Sequence, residues 1–213
     1  VRRKALYVDL QKSAEDAFFI ETVDENEKKD VFFVASALAR LHHLKDMIKA
    51  QQMTLLTAEY LKKVLHTMEQ LIFFVVKNED GSGDAFSCEG FTWPHRQRML
   101  KDMKLIEVLT DILFYPFGFQ LYQLNNIPNE LMVKVFQLSY KLIKHTIREY
   151  RPNELYASQW LDLFIHQSMF SDPNYDLFAE PTLTELIDNN KKILENKIKQ
   201  ETIVRFVNML KTQ

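Results

Sequence analysis

Histidine, cysteine and carboxylate side chains are the residues of this sequence that could support catalysis or bind a metal. None of the six histidines stands in an HExxH or similar metal-binding spacing, and Cys88 is a single cysteine. We expect the histidines to be helix-surface or half-buried residues. The segment DGSGD at 80–84 lacks the bidentate glutamate of a calcium loop, so a turn is the better interpretation. With no nucleophile elbow or phosphate-binding glycine loop either, the sequence predicts no enzyme, no metal site and no cofactor.

Two short basic segments could instead bind an anion. In the first, HRQRMLK at 95–101, Arg98 and Lys101 are three residues apart and therefore share one face of a predicted helix. They lie in its opening turns, where free amides and the helix dipole favour an anion. The second segment contains Tyr150 and Arg151, at the end of the next long predicted helix. If these helices pack antiparallel, the segments converge into a cluster that could hold a polyphosphate. A solvated helix surface is the alternative.

Composition restricts the kind of protein that carries these segments. The chain has 46% hydrophobic and 26% charged residues, with only four glycines and six prolines. This composition is typical of a globular domain, and the scarcity of turn residues argues against an all-β fold. A net charge of −2, without a basic stripe between aromatic residues, indicates no nucleic-acid partner. No apolar run reaches the roughly 18 residues of a membrane span, so we expect no direct membrane insertion by this sequence.

Helical periodicity dominates the sequence after residue 30, and these helices must position the basic segments. We predict helices over Asp30–Gln52, from a Thr57 N-cap to Val75, over Pro94–Tyr115 and Asn129–Tyr150, from an Asn153 cap to His166, from a Thr182–Glu185 capping box, and over Thr202–Lys211. Pairs such as 94–150 have roughly the 40- to 50-residue period of armadillo or HEAT repeats. The predicted fold is all-α: an armadillo-like, irregular stack of antiparallel helix pairs.

The N-terminal region has a different pattern. The apolar and β-branched segment 16–23 predicts a strand, and no second strand is evident nearby to pair with it. A polar linker follows at 24–30. We therefore expect a short strand and linker over 1–29 and the helical domain over 30–213.

Four blocks of the sequence resemble the first ryanodine/inositol-trisphosphate receptor homology domain of inositol 1,4,5-trisphosphate receptors. They are EDAFFIETV, TAEYLKKVLHTMEQLIFFV, HRQRMLKDMKLIEVLTDILFYPF and LFAEPTLTELIDNNKKILENKI. The resemblance covers nearly everything from Ala14 onward. It implies that 1–29 are the end of an upstream β-trefoil and a linker, and that 30–213 are the helical half of the ligand-binding core.

The same resemblance implies a ligand site. In the family, the trisphosphate lies between the β-trefoil and the helical domain, and Arg98, Lys101, Tyr150 and Arg151 match ligand-binding positions on the helical side. The sequence departs from the family where Pro94 and Pro152 replace an arginine and a lysine. Two missing charges would cost on the order of 3–6 kcal/mol of binding free energy. Three alternatives follow for this site: it binds the trisphosphate weakly, it binds another inositol phosphate, or it has lost binding.

The function implied by the resemblance is a module of an intracellular ligand-gated calcium-release channel. Binding would close the cleft and transmit motion to the pore of a homotetramer on the cytoplasmic face of the endoplasmic reticulum. The alternative is a protein-interaction helical solenoid of a ryanodine-receptor-like channel that does not bind inositol phosphate.

Overall fold

A computed structural model describes the conformation of most of the chain. It describes residues 4–5, 19–20, 23–77, 83–117, 130–168, 176–188, 190–198, 200–201 and 203–204. The chain divides into two units, Val1–Phe33 and Val34–Gln213.

In the first unit, strand β1 (Lys4–Ala5) pairs with strand β2 (Phe19–Ile20). The pairing is antiparallel, with Lys4 opposite Ile20 and Ala5 opposite Phe19. The expectation that the strand within 16–23 has no partner nearby is therefore wrong. The assignment of 1–29 to a β-trefoil remains a prediction.

All larger elements in the described ranges are helical, which confirms the all-α prediction. The α-helices are α1 (Glu25–Lys49), α2 (Ala58–Val75), α3 (Pro94–Asp102), α4 (Leu105–Phe117), α5 (Glu130–Ile147), α6 (Arg151–Ala157), α7 (Leu161–Ser168), α8 (Ala179–Ile187) and α9 (Lys191–Lys197). Short 3₁₀ helices cover Met53–Leu55 and Ser158–Trp160. None of the helices in these ranges combines the length and apolarity required of a membrane span.

Helix α2 forms as its sequence predicts. The Thr57 side chain accepts a hydrogen bond from the Tyr60 amide at 3.2 Å and so caps the first turn. Apolar residues at three- and four-residue steps then face inward, from Leu61 to Val75. Helix α1 begins five residues before the predicted Asp30.

Helix α5 is the centre of the helical stack. It contacts α2, α3, α4, α6 and α8. Residues around most of its circumference are buried, including Phe136 and Tyr140. The Tyr140 hydroxyl donates to Gln167 of α7, and the Thr182 hydroxyl of α8 donates to the Tyr140 main-chain oxygen at 3.0 Å. Tertiary packing of this kind supplies most of the stability of helices in water.

The predicted helix Pro94–Tyr115 is in fact two helices, α3 and α4, separated at Met103 and Lys104. Lys104 has a left-handed backbone, with φ of 69°. The break turns the chain, and Leu105 and Ile106 immediately after it are fully buried. Helix α4 also continues past the predicted end and contains Pro116.

Two predicted caps are wrong because the residues lie inside their helices. Asn153 lies in the first turn of α6, which begins at Arg151, and the 3₁₀ turn 158–160 separates α6 from α7. Thr182 lies within α8, where its hydroxyl donates to the Phe178 and Tyr140 main-chain oxygens. Most of the predicted helix Thr202–Lys211 lies outside the described residues. Within it, the structure describes 203–204, and both residues are helical.

Candidate functional site

Helix α3 positions the first pair of predicted site residues. Pro94 occupies the start of the helix, where its fixed φ is favourable and no backbone N–H is needed. Gln97 and Leu100 are the buried residues of α3. Arg98 consequently projects into solvent, with 71% of its side chain exposed, whereas Lys101 is 26% exposed.

The junction between α5 and α6 positions the second pair. After Ile147 the chain turns through Glu149, which has a left-handed φ of 53°. Tyr150 is half-buried and is the N-cap residue of α6, and Arg151 is the first residue of that helix. Pro152 follows within the first turn, the helical position that proline tolerates best.

Two buried amide side chains join α3 to this junction. The Gln97 Nε2 donates to the main-chain oxygens of His145 and Arg148 at 2.9 and 2.8 Å. The Asn153 Nδ2 donates to the main-chain oxygens of Gln97 and Thr146, both at 2.8 Å. These acceptors include final carbonyls of α5, which lack partners within the helix. The beginning of α3, the end of α5 and the beginning of α6 are therefore held together.

The side chains of the predicted cations are each paired with a local carboxylate. Arg98 Nε and Lys101 Nζ lie 3.4 and 3.0 Å from the two oxygens of Asp102. Hydrogen bonding from Lys101 is the main cause that lowers the Asp102 pKa. Arg151 donates to Glu154 at 2.7 Å. The pairs with the half-exposed Asp102 contribute little stability, so a more highly charged anion could compete for Arg98 and Lys101. The Glu154 side chain is only 4% exposed, so the ion pair of Arg151 is partly buried and is harder to displace.

A cavity of about 470 Å³ lies beside the α5–α6 junction. Arg148 and Arg151 line it together with four carboxylates, Glu149, Glu154, Glu185 and Asp188. Burial raises the Glu185 pKa. The excess of carboxylates opposes a phosphate inside this cavity. The candidate phosphate surface is therefore centred on the exposed side of α3. Arg151, in the first turn of α6, borders the carboxylate-rich cavity and is the predicted ligand whose surroundings favour a phosphate least.

A comparison with known families identifies the helical region. The family model described as the RIH domain, of ryanodine and inositol-trisphosphate receptors, matches residues 65–213. The chain belongs to the RIH-domain family. The inositol 1,4,5-trisphosphate receptor itr-1 of Caenorhabditis elegans is 26% identical to it over 209 residues. That match covers 92% of this chain and 7% of the receptor. The predicted resemblance to inositol-trisphosphate receptors is confirmed, for a divergent member.

The RIH domain also contains a charged cluster that is not among the sites predicted from the sequence. Glu89, in the segment before α3, accepts hydrogen bonds from three cations of α5: Lys141 at 2.9 Å, Lys144 at 3.1 Å and Arg148 at 2.7 Å. Although its burial acts in the opposite direction, hydrogen bonds from the two lysines lower the Glu89 pKa to about 2. The helical spacing of the three cations was the available sequence signal.

His145 of this RIH domain corrects the expectation for the histidines. It is fully buried in α5, and neither ring nitrogen has a hydrogen-bond partner among the described residues. Burial lowers its pKa to about 4, assisted by the charges of Lys141, Lys144 and Arg148 and opposed by Glu89. His145 is therefore neutral at pH 7. It is a buried packing residue whose main-chain oxygen accepts from Gln97 of α3 and whose ring lies near the charged cluster.

Proposed function

We propose that this RIH domain is the helical half of the inositol 1,4,5-trisphosphate-binding core of an intracellular calcium-release channel. The observation that carries the proposal is the pair of buried amides, Gln97 and Asn153, because they fix the basic turns of α3 beside the α5–α6 junction. Arg98 and Lys101 then lie on one element, and Tyr150 and Arg151 on the adjoining one. Membership of the RIH family supports the same role.

The proposed mechanism is closure of a cleft. Phosphates of the ligand would be bound on one side by Arg98, Lys101, Tyr150 and Arg151 and on the other by an upstream β-trefoil of the same protein. Drawing two rigid bodies together is a common way for a ligand to drive a conformational change. In the full-length homotetramer, on the cytoplasmic face of the endoplasmic reticulum, this motion would reach the pore. The domain has a binding role in this mechanism, and no catalytic step is proposed.

Pro94 and Pro152 define how this site differs from the family pattern. Each proline lies in the first turn of a helix, where the family has a basic residue. Both therefore favour the start of a helix while removing a charge from the proposed ligand surface. We expect weaker trisphosphate binding than a fully basic site would give, by about two to four decades.

Calorimetry on the protein extended to include the β-trefoil would test the proposal. The variant Arg98→Gln with Arg151→Gln should lose about 3–6 kcal/mol of trisphosphate binding free energy, since each guanidinium makes charge-assisted hydrogen bonds. Lys62→Gln with Lys134→Gln removes two exposed positive charges elsewhere and is the matched control. Equal affinity in both double variants would disprove the site.

A second candidate function is a protein-interaction module. A cavity of about 510 Å³ between α6 and α9 is lined by Leu155, Tyr156 and Ile193, among other residues. Leu155 is 41% exposed, so an apolar side chain is available to a partner there. Binding of a protein through such a surface should change little with salt, whereas phosphate binding should weaken strongly as salt is raised.

A further inference from the structure

Three cations on α5 converge on one carboxylate. Lys141, Lys144 and Arg148 are spaced three and four residues apart, which places them along one face of the helix. Their side-chain nitrogens all lie within 3.1 Å of a Glu89 oxygen. The carboxylate of Glu89 belongs to a segment more than fifty positions earlier in the chain than the three cations. The tertiary fold therefore brings the cluster together.

The cations of this cluster differ in how accessible they are. The Lys141 side chain is only 9% exposed and also donates to the Phe86 main-chain oxygen at 2.7 Å. Lys141 therefore has a structural role and is poorly accessible to a ligand. Lys144 and Arg148 are 19% and 28% exposed, and Glu89 itself is 47% exposed. The cluster therefore opens to solvent on the side of Glu89, with Lys144 and Arg148 at its rim.

The charges of the cluster do not balance. Three positive charges face two carboxylates, Glu89 through ion pairs and Glu185 electrostatically, which leaves a formal excess of one. An ammonium group has three N–H donors and a guanidinium has five, which exceeds what one carboxylate can accept. Glu185 is half-buried and lines the carboxylate-rich cavity that Arg148 also borders. A phosphate is therefore expected on the opposite side of the cluster, where Glu89 lies. A phosphate group has more charge and more acceptor oxygens than a carboxylate.

We propose that Lys144 and Arg148, backed by Lys141, form an anion site for a phosphate group, which Glu89 occupies as an internal ligand. The site is separate from the proposed trisphosphate surface, and the inference does not depend on that function. A phosphate that replaces Glu89 would release the segment before α3 from its ion pairs with α5. The ligand class is a small phosphate-bearing anion, either free in solution or on a lipid headgroup.

Inorganic pyrophosphate is a suitable probe for calorimetry on the 213-residue chain at low salt. Glu89→Gln should bind pyrophosphate about tenfold more tightly than the wild type, because the internal competitor loses its charge. Adding Lys144→Gln and Arg148→Gln to that variant should abolish the gain. Equal affinity of a folded Glu89→Gln variant and the wild type would overturn the proposal, as would an absence of binding by both.

Additional variants separate this inference from the function proposed above. Because Arg98 and Arg151 belong to the proposed trisphosphate surface, the comparison is repeated in the Arg98→Gln/Arg151→Gln background. The roughly tenfold gain from Glu89→Gln should persist there, and its loss would show that the anion binds at the other surface. If Glu89→Gln does not fold, the wild type is compared with Arg148→Gln, and equal pyrophosphate affinity of these two would refute the site. Lys62→Gln with Lys134→Gln again controls for net charge.

Vesicles distinguish the two sources of phosphate. Phosphatidylcholine vesicles with and without phosphatidylinositol 4,5-bisphosphate are compared in a sedimentation assay with wild type and Lys144→Gln/Arg148→Gln. Binding that needs both the phosphoinositide and the two cations would identify a lipid headgroup as a ligand of the site. Pyrophosphate binding without vesicle binding would identify a soluble phosphate.

Discussion

Asn153 donates a hydrogen bond from its Nδ2 to the main-chain oxygen of Gln97 at 2.8 Å, and this bond joins α6 directly to α3. Both side chains are buried, with exposures of 0% and 1%. Because the Gln97 amide in turn donates to the end of α5, three helix ends depend on two side chains. The geometry of the proposed ligand surface therefore rests on uncharged residues that would not themselves contact a phosphate.

Replacing Asn153 by alanine should destabilise the domain. The substitution removes two buried hydrogen bonds and leaves their carbonyl acceptors without this donor, at a cost of about 2–3 kcal/mol in the free energy of unfolding. Urea denaturation followed by circular dichroism measures the change. Asn196→Ala is the control, since Asn196 is exposed and donates to the Lys192 carbonyl within its own helix. A loss no larger than that of the control would contradict the role of the buried amide.

Buried His145 should make stability depend on pH in the mildly acidic range. Its folded-state pKa of about 4 is below the ordinary value of 6.5, so the unfolded chain binds a proton first as the pH falls. This contribution to stability is complete above pH 6.5 and declines, by on the order of 3 kcal/mol, down to pH 4. We expect His145→Gln to flatten the dependence over this range in denaturant titrations at several pH values. His66→Gln, at an exposed histidine, is the control. An unchanged profile for His145→Gln would rule out this explanation.

Titration of Glu89 should make the stability of the domain depend on pH at lower values than titration of His145 does. Its folded-state pKa of about 2 lies below the ordinary value of 4.5, so its stabilising contribution is present above pH 4.5 and is lost as the pH falls through 2. The Glu89→Gln variant lacks this titration, and its thermal stability should fall less between pH 4.5 and 2 than that of the wild type. Glu59→Gln is the control: its ion pair with Lys63 also lowers the Glu59 pKa, but the pair is exposed and screened, so the slope should change less than in Glu89→Gln. Parallel slopes for all three proteins would show that the cluster does not form.

The backbone conformation at Lys104 should favour glycine over alanine. Its φ of 69° is strained for a residue with a Cβ atom, and glycine adopts this conformation readily. We expect Lys104→Gly to be more stable than Lys104→Ala by about 1 kcal/mol, because both lose the exposed ion pair with Glu107 and alanine alone keeps the strain. Differential scanning calorimetry of the two variants gives the comparison. A higher melting temperature for the alanine variant would contradict a left-handed backbone at position 104.

The sequence predicts the parts of this fold that depend on local patterns. Thr57 and the apolar period after it locate α2, and Pro94 locates the start of α3. The break at Lys104 could not be predicted, because no glycine or proline marks it and the burial of Leu105 and Ile106 imposes it. The sequence predicts Asn153 as a cap because asparagine favours that position, whereas its contact with Gln97 depends on two segments packing together.

The candidate site likewise combines features that local sequence patterns predict with features that depend on tertiary packing. The shared helix face of Arg98 and Lys101 can be predicted from their spacing, as can the ion pair between Arg98 and Asp102 four residues on. The interaction of Glu89 with Arg148 joins residues 59 positions apart, and no local pattern indicates it. Long-range charge pairing is decided by the tertiary fold, which helical periodicity alone does not specify.

The acceptors of the two buried amides are all main-chain oxygens, at Gln97, His145, Thr146 and Arg148. Every amino acid supplies such an oxygen, so most substitutions at 146 or 148 leave the acceptor in place. Replacing the partly exposed Arg148 side chain therefore alters the charge beside the binding surface without removing the main-chain acceptor that helps to hold α3 against α5.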